Sequence, residues 1–200
     1  SDEKWLKRAA SRMDAKECSD DPLFVELVEA LHSLSPSADS AYYLGILKDK
    51  AGNTTEAIAF YEESLTLESD AYRKAEILYK IAAKLKKRGL KSQARKYANQ
   101  ALSNKPSMGK AYILIAGLYA DSANDCGNNQ FEKQAVYWLA AQTARRAAIV
   151  DPALKKTSQK LEASYTGRAP SKTDIFTQGK AGEVISFDCW IRSSVTVPNL

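Results

Sequence analysis

Apolar and small residues recur through the middle of the chain with the spacing of amphipathic helices, and the pattern of one helix pair returns in the next. The first set comprises Leu44, Gly45, Gly52, Ala57, Tyr61 and Leu65, and the second comprises Leu78, Ile81, Ala82, Gly89, Ala94, Ala98, Ala101, Leu102 and Pro106. Ala57 and Ala94 lie 37 residues apart. This separation is a unit of about 34 residues plus three residues between Ser69 and Lys74, and a repeat of about 34 residues predicts stacked helical hairpins, each built from two helices and a short turn.

The small residues of this pattern indicate where two helices approach closely. Gly45, Ala57 and Ala94 are predicted at the crossings, where a larger residue would force the helices apart at a cost of about 1–3 kcal/mol. Gly52 and Gly89 follow the predicted first helices and suit the left-handed conformation that often ends a helix.

On these residues the chain resembles the tetratricopeptide repeat family, over about residues 20–152. The resemblance implies an all-α fold, a right-handed superhelix of helical hairpins, which is an architecture that holds partners. The predicted repeats lie near residues 4–36, 38–71, 75–108 and 109–154. The two central repeats match the pattern well, whereas the first matches it poorly.

The last repeat contains an interruption. Ala116 and Ala140 are 24 residues apart, where the repeat pattern expects about half of that separation. We therefore predict an insertion at 121–134, a segment rich in Asn, Asp, Gly and Ser. A capping helix at 152–165, beginning with Pro152, is expected to close the array of residues 1–165.

Residues 166–200 form a tail of different character. Ile185, Phe187, Cys189 and Ile191 alternate with other residues, which predicts a strand over 183–191. Arg192–Ser194 would turn into a second strand at 195–197. Because an isolated hairpin is marginal, its apolar face should pack on the helices or pair with a partner's edge. Residues 167–182 are rich in Gly, Ser, Thr and Lys, and Ala169–Pro170 is expected to forbid helix there.

The three cysteines, Cys18, Cys126 and Cys189, show no metal-ligand spacing, and His32 is the only histidine. We therefore expect no metal site. A disulfide would require an extracytoplasmic setting, in which case Cys126 with Cys189 is the first pairing to expect, since both lie outside the predicted repeat helices. Three buried free thiols are the alternative.

The tail adds a second resemblance. From Arg168 through Cys189 to Pro198, it is similar to the ending of uncharacterised tetratricopeptide proteins of bacterial cell envelopes. This resemblance implies an extracytoplasmic location in the periplasm or envelope and leaves a cytoplasmic one open. It implies no activity and no ligand.

In the family, the first helix of each hairpin lines a groove for peptides. The corresponding positions here are Asp39, Tyr42, Ile46, Asp49, Glu76, Tyr79, Ala83, Lys86, Lys110, Ile113 and Gly117. Family members that grip a terminal carboxylate use Lys and Asn where this chain has Tyr42 and Ile46, so that clamp is absent. Tyr42 and Tyr79 could form an aromatic ladder for a peptide. Packing between neighbouring hairpins is the alternative.

The net charge of +5 is unevenly distributed: residues 1–74 carry 9 Lys/Arg and 15 Asp/Glu, and residues 75–200 carry 20 and 9. A basic patch comprises Lys84, Lys86, Lys87, Arg88, Lys91, Arg95 and Lys96. Nucleic-acid binding is disfavoured because only Tyr97 supplies an aromatic residue nearby. One alternative is that the patch binds a polyanionic partner. Another is that its cations only stabilise the C-terminal end of a helix, where the helix dipole is negative.

Catalytic chemistry finds no support in the sequence. His32 lies one turn after Glu29 on an apolar helix, and the sequence shows no nucleophile arranged with them as a catalytic triad requires. Gly179–Gly182 lacks the spacing of a phosphate-binding loop. No cofactor and no membrane-spanning segment are expected. We therefore predict a non-enzymatic scaffold that binds a peptide or protein segment in its groove. The alternatives are a structural capping domain of a larger protein and a binder of anionic polymers through the basic patch. The sequence leaves the oligomeric state open.

Overall fold

The computed structural model describes residues 2–16, 18 and 21–200, and this part of the chain is mostly helical. Its elements are α1 (Glu3–Ala15), α2 (Pro22–Leu34), α3 (Ala38–Lys50), α4 (Thr54–Leu67), α5 (Ala71–Lys87), α6 (Lys91–Asn104), α7 (Gly109–Ala120), α8 (Gln130–Val150), a 3-10 turn (Pro152–Leu154), α9 (Lys155–Thr166), α10 (Lys172–Gln178), β1 (Val184–Phe187) and β2 (Ser193–Thr196). The expected all-α helical-repeat fold with a short C-terminal β-hairpin is confirmed.

The chain divides into two compact units, Ser1–Lys84 and Leu85–Leu200, here called the N-terminal unit and the C-terminal unit. The division falls within α5, inside the predicted array of residues 1–165. The domain limits drawn from the sequence stay a prediction.

Local sequence fixes where the helices of the N-terminal unit begin. Asp2 and Asp21 cap α1 and α2 by accepting backbone N–H groups at 2.9 Å, and Pro22 occupies the first position of α2. The adjacent Asp20 and Asp21 indicate a helix start in the sequence, and Asp20 lies outside the described residues. Ser37 and Ser40 form a reciprocal capping box at the start of α3. The buried core comprises Leu6, Ala10, Phe24, Leu27, Val28, Leu31, Tyr43 and Leu44.

The predicted close approach of α3 and α4 is confirmed at Gly45. A Cβ atom added there would lie 2.5 Å from the ring of Tyr61, which is 2% exposed. Ala57 and Ala94 are fully buried, as expected of residues at helix crossings. Gly52 adopts the predicted left-handed conformation, with φ at 79°, and so permits the turn between α3 and α4.

In the C-terminal unit, α7, α8 and α9 pack through small residues. Ala116, Ala140 and Ala144 form a buried cluster with Tyr165. Ser158 of α9 donates a hydrogen bond to the Ala144 carbonyl of α8. Alanines at these positions let the helix backbones approach, as the sequence pattern predicted.

The connection between α7 and α8 spans residues 121–129, so residues 130–134 of the predicted insertion belong to α8. Asn129 caps α8 by accepting the N–H of Glu132 at 3.0 Å. The predicted capping segment consists of the 3-10 turn at Pro152–Leu154 followed by α9.

The tail contains an antiparallel pair of strands in which Ile185 lies opposite Val195. Its apolar face is buried against α8 residues such as Val136, as predicted. The expected extension of the first strand through Ile191 is wrong, because residues 188–192 form the turn. Arg192 takes a positive φ of 42° there, and Cys189 is held in a disulfide.

The expectation that 167–182 lacks helix is also wrong. Residues Lys172–Gln178 form α10, which begins just after the disfavoured Pro170. Ser171 and Asp174 make a reciprocal capping box, and Gly179 ends the helix with φ at 63°. The Ser-x-x-Asp spacing therefore indicates this helix in the sequence, although the composition of the segment disfavours helix.

Candidate functional site

Predicted groove residues on α3 reach across to α5 within the N-terminal unit. Asp39 accepts hydrogen bonds from Arg73, near the start of α5, and Asp49 pairs with Lys84 near its end. Between them, the Lys80 ammonium lies 4.4 Å from the centroid of the Tyr42 ring. Two ion pairs and one cation–π contact therefore join the first helices of neighbouring hairpins.

Asp39 is the centre of the charged contacts on this face. Its other oxygen lies 3.2 Å from the Lys7 ammonium of α1, while the Arg73 guanidinium also contacts Glu68 at 2.9 Å. Burial alone would raise the pKa of Asp39. The hydrogen bonds from Arg73 and Lys7 outweigh it and lower this pKa below its ordinary value. Asp39 is therefore held as a carboxylate that links three helical segments.

Tyr42 both packs between helices and borders an open cleft. Its ring lies 5.8 Å from that of Tyr61. The same side chain lines a cleft of about 280 Å³ whose other lining residues are Tyr72, Arg73, Glu76 and Ile77. We call this the aromatic cleft. Tyr72 is 62% exposed, so this cleft presents an aromatic surface to solvent.

Three further predicted groove residues of this unit have less direct roles. Tyr79 is half-buried on α5, and burial, followed by the Glu76 carboxylate, raises its pKa. Ile46 packs against the core cluster of the N-terminal unit. Ala83 is half-buried near the end of α5.

A larger cleft of about 620 Å³ lies along α1, and sequence reasoning missed it. Its lining residues are Lys4, Lys7, Arg8, Ser11, Arg12, Asp39, Tyr43 and Arg73. We call this the basic cleft. The α1 cations follow the helical spacing of one face, which was a readable signal. The weak repeat match of this region kept α1 out of the predicted groove.

The predicted groove positions of the C-terminal unit are partly filled by a lysine. The Lys86 side chain crosses Gly117, where an added Cβ would lie 2.3 Å from its ammonium, and pairs with Asp121 at 3.4 Å. Lys110 and Ile113 are half-buried on α7. Gly117 therefore leaves open the space that the end of the flexible Lys86 side chain occupies.

The predicted basic patch does not form one continuous set of exposed cations. Lys84 pairs with Asp49, and Lys91 contacts both the Asp121 carbonyl, at 2.6 Å, and the Asp125 carboxylate, at 2.8 Å. Arg95 is bound to the tail. Of the remaining members, Lys87, Arg88 and Lys96 are exposed. Several of the patch cations thus serve intramolecular contacts.

Several contacts bind the tail to the rest of the C-terminal unit. Cys126, in the connection before α8, forms a disulfide with Cys189. Arg95 donates to the carbonyls of Trp190, at 3.2 Å, and Ile191, and its guanidinium lies 5.1 Å from the Trp190 ring. The Trp190 indole N–H donates to Ser122 at 3.1 Å. The pairing of Cys126 with Cys189 is confirmed, while Cys18 is exposed and outside the disulfide.

His32 has a structural environment. Its Nδ1 lies 3.0 Å from the Ser40 hydroxyl and its Nε2 lies 3.5 Å from Glu63, so its acidic neighbour is on α4. Across residues 2–16, 18 and 21–200, no group of three or more His, Cys, Asp or Glu side chains is placed to hold a metal ion. Within the same residues, no helix has the length and apolar character needed to span a bilayer.

Comparison with known proteins identifies the type of repeat. No protein-family model matches the chain. The Photosystem I assembly protein Ycf3 of Cuscuta gronovii is 30% identical over 112 residues, which cover 52% of this chain and 67% of that protein. The protein of the same name from Cyanophora paradoxa is 33% identical over 110 residues, covering 50% and 64%.

Solved structures show the same fold at low sequence identity. A MamA RS-1 ArsTM double mutant aligns with a TM-score of 0.57 at 16% identity, covering 83% of this chain and 91% of that one. A second MamA structure gives 0.53 at 13% identity, covering 89% and 92%. PilF of Pseudomonas aeruginosa gives 0.51 at 12% identity, covering 88% and 76%.

These relatives are tetratricopeptide-repeat proteins, and this chain belongs to the tetratricopeptide repeat family. As a member of this family, the chain is in general terms a protein-interaction scaffold.

Proposed function

We propose that this chain is a non-enzymatic scaffold that holds a peptide segment of a protein partner along α1, α3 and α5 of its N-terminal unit. The observation that carries this proposal is the aromatic cleft, where Tyr42, Tyr72 and Ile77 border an open space of about 280 Å³. Tyrosines bury large areas at low cost in side-chain entropy, which suits them to peptide recognition.

Ion pairs on both sides of Tyr42 also support the proposal, because they hold this surface rigid. The Asp39–Arg73 and Asp49–Lys84 ion pairs tie α3 to α5 on either side of Tyr42. A preorganised groove loses less entropy when it binds, so contacts of this kind favour binding even though they occupy predicted groove positions. The proposal therefore assigns Asp39 and Asp49 to positioning the groove and Tyr42 and Tyr72 to contact with the peptide.

Panning a phage-displayed library of random peptides against the chain tests the proposal. We expect the unsubstituted protein to select a common motif that the Tyr72→Ala variant fails to select. Ile149→Ala is the matched control, because Ile149 is also a highly exposed large apolar residue, at 72% against 62% for Tyr72, but lies in the C-terminal unit. The absence of any selected motif, or a motif that Tyr72→Ala retains, would remove the aromatic cleft from the function.

We also propose an extracytoplasmic location. The Cys126–Cys189 disulfide supports it, because such bonds persist mainly in oxidising compartments. Lysis of cells directly into denaturant that contains a maleimide and no reductant, followed by a count of the modified thiols, tests it. We expect one modified thiol per chain, that of Cys18. Three modified thiols would place the protein in a reducing compartment.

A further inference from the structure

The basic cleft concentrates positive charge in the more acidic part of the chain. Residues 1–74 contain 15 acidic and 9 basic residues, yet the cleft lining includes five cations and one carboxylate. Four of those cations lie on one face of α1, at positions 4, 7, 8 and 12. A cleft lined by charges of one sign attracts ligands of the opposite sign.

Part of this charge is already neutralised. The Asp39 carboxylate pairs with Lys7 and Arg73. Within the described part of the chain, ion pairs of the cleft involve only these two of its cations. Lys4, Arg8 and Arg12 are exposed on α1. Arg8 Nε donates a hydrogen bond to the Lys4 carbonyl at 3.3 Å, and none of the three side chains forms an ion pair with another described residue.

The basic cleft adjoins the aromatic cleft, because Arg73 lines both. On one side of Arg73 lie the α1 cations. On the other side lie Tyr42, Tyr72, Ile77 and the carboxylate of Glu76, and the lining of this cleft as a whole is mainly apolar. A ligand that spans both clefts must therefore carry negative charge at one end and a large apolar side chain at the other.

Building on the function proposed above, we infer that the partner segment is an acidic peptide with a neighbouring large apolar side chain. Its carboxylates contact Lys4, Arg8 and Arg12, where arginine offers paired hydrogen bonds to each carboxylate. Its apolar side chain lies on the ring of Tyr72. Arg73, held by Asp39 and Glu68, separates the two subsites and sets their order along the peptide.

Fluorescence anisotropy with synthetic peptides tests this inference. The probe is a fluorescein-labelled peptide with a run of glutamates followed by one phenylalanine. One comparison peptide replaces the glutamates by glutamines, and another replaces the phenylalanine by serine. We expect each replacement to weaken binding by roughly tenfold, since each removes one of the two kinds of contact.

Matched protein variants locate the binding. The double variant Arg8→Gln, Arg12→Gln removes two exposed cations of the basic cleft, and we expect it to bind the probe roughly tenfold more weakly, with a shallower salt dependence. The control Lys155→Gln, Lys156→Gln removes the same charge from exposed positions on α9 and should bind as the unsubstituted protein does.

Each other outcome overturns the inference in a recognisable way. Equal binding of the serine-containing peptide, or displacement of the probe by heparin at equal charge, would show a general polyanion surface. Equal loss of binding in the two double variants would show that long-range electrostatic attraction, and not a defined site, holds the probe. If phage panning yields a Tyr72-dependent motif without acidic residues, the proposed function stands and the acidic specificity falls.

Discussion

The two units of the chain hold their secondary structure together in different ways. In the N-terminal unit, neighbouring first helices are joined by side-chain pairs such as Asp39–Arg73 and Asp49–Lys84, which leave open clefts between them. In the C-terminal unit, a disulfide and Arg95 bind a tail onto the helices. Similar helical hairpins can therefore present a surface or cover one, depending on the polar residues between them.

Loss of the disulfide should produce the largest effect. In the double variant Cys126→Ser, Cys189→Ser, we expect the free energy of unfolding of the C-terminal unit to fall by about 3–4 kcal/mol, because the bond closes a loop of 63 residues. Urea denaturation followed by tryptophan fluorescence in a Trp5→Phe background, which keeps Trp138 and Trp190 of the C-terminal unit, measures it. Cys18→Ser is the control, since that thiol is exposed. An unchanged unfolding midpoint would mean that the helices alone hold the tail.

Removal of Arg95 should be the next most costly change. Arg95→Ala loses hydrogen bonds to two carbonyls of the tail and the contact with the Trp190 ring. We expect a loss of about 2–3 kcal/mol and faster hydrogen exchange in β1 and β2. Lys96→Ala, at the exposed neighbouring position, should leave both quantities unchanged. If the strands stay protected in Arg95→Ala, the disulfide is sufficient to hold them.

A methyl group at Gly45 tests close packing in the N-terminal unit. Gly45→Ala places an atom against the buried ring of Tyr61, and we expect a loss of about 1–2 kcal/mol in thermal or urea unfolding. Gly167→Ala is the control, because its φ of −68° suits any residue and its nearest neighbour would lie 3.4 Å away. Equal effects of the two substitutions would show that α3 and α4 can separate without cost.

Substitution of Asp39 should have the smallest effect on stability, and that effect should depend on pH. The pKa of Asp39 is lowered in the folded protein. The stability that its carboxylate contributes is therefore fully present above pH 3.8, its ordinary pKa, and is lost as the pH falls through the lower pKa of the folded state. We expect Asp39→Asn to destabilise the N-terminal unit by about 1 kcal/mol at neutral pH and by less below pH 3.8. Asp21→Asn, which keeps the capping oxygen, is the control. A pH-independent difference would contradict the ionic origin.

Much of the fold could be predicted because it depends on local patterns. The alanines at the helix crossings and the glycines of the turns mark the repeats directly in the sequence. The apolar face of the tail was predicted from alternation. The extent of its first strand was not, since Arg95 and the disulfide engage residues 189–191 from distant parts of the chain.

The candidate site was predicted less completely. The groove positions on α3 were located by resemblance, yet Asp39 and Asp49 contact α5 side chains, which depends on how two helices face each other. The basic cleft was missed because α1 matches the repeat pattern weakly. Its cations, at positions 4, 7, 8 and 12, have the spacing of one helix face, so a signal for the cleft is present in the sequence.

The Cys126–Cys189 bond also governs how the chain would respond to proteolysis. The two cysteines bracket α8, α9, α10 and β1. A single cut anywhere between them divides the backbone but leaves both fragments covalently joined. Such a nicked protein has the mass of the intact chain plus one water, and it runs as one band on a non-reducing gel. It separates into two bands only when a reductant is added.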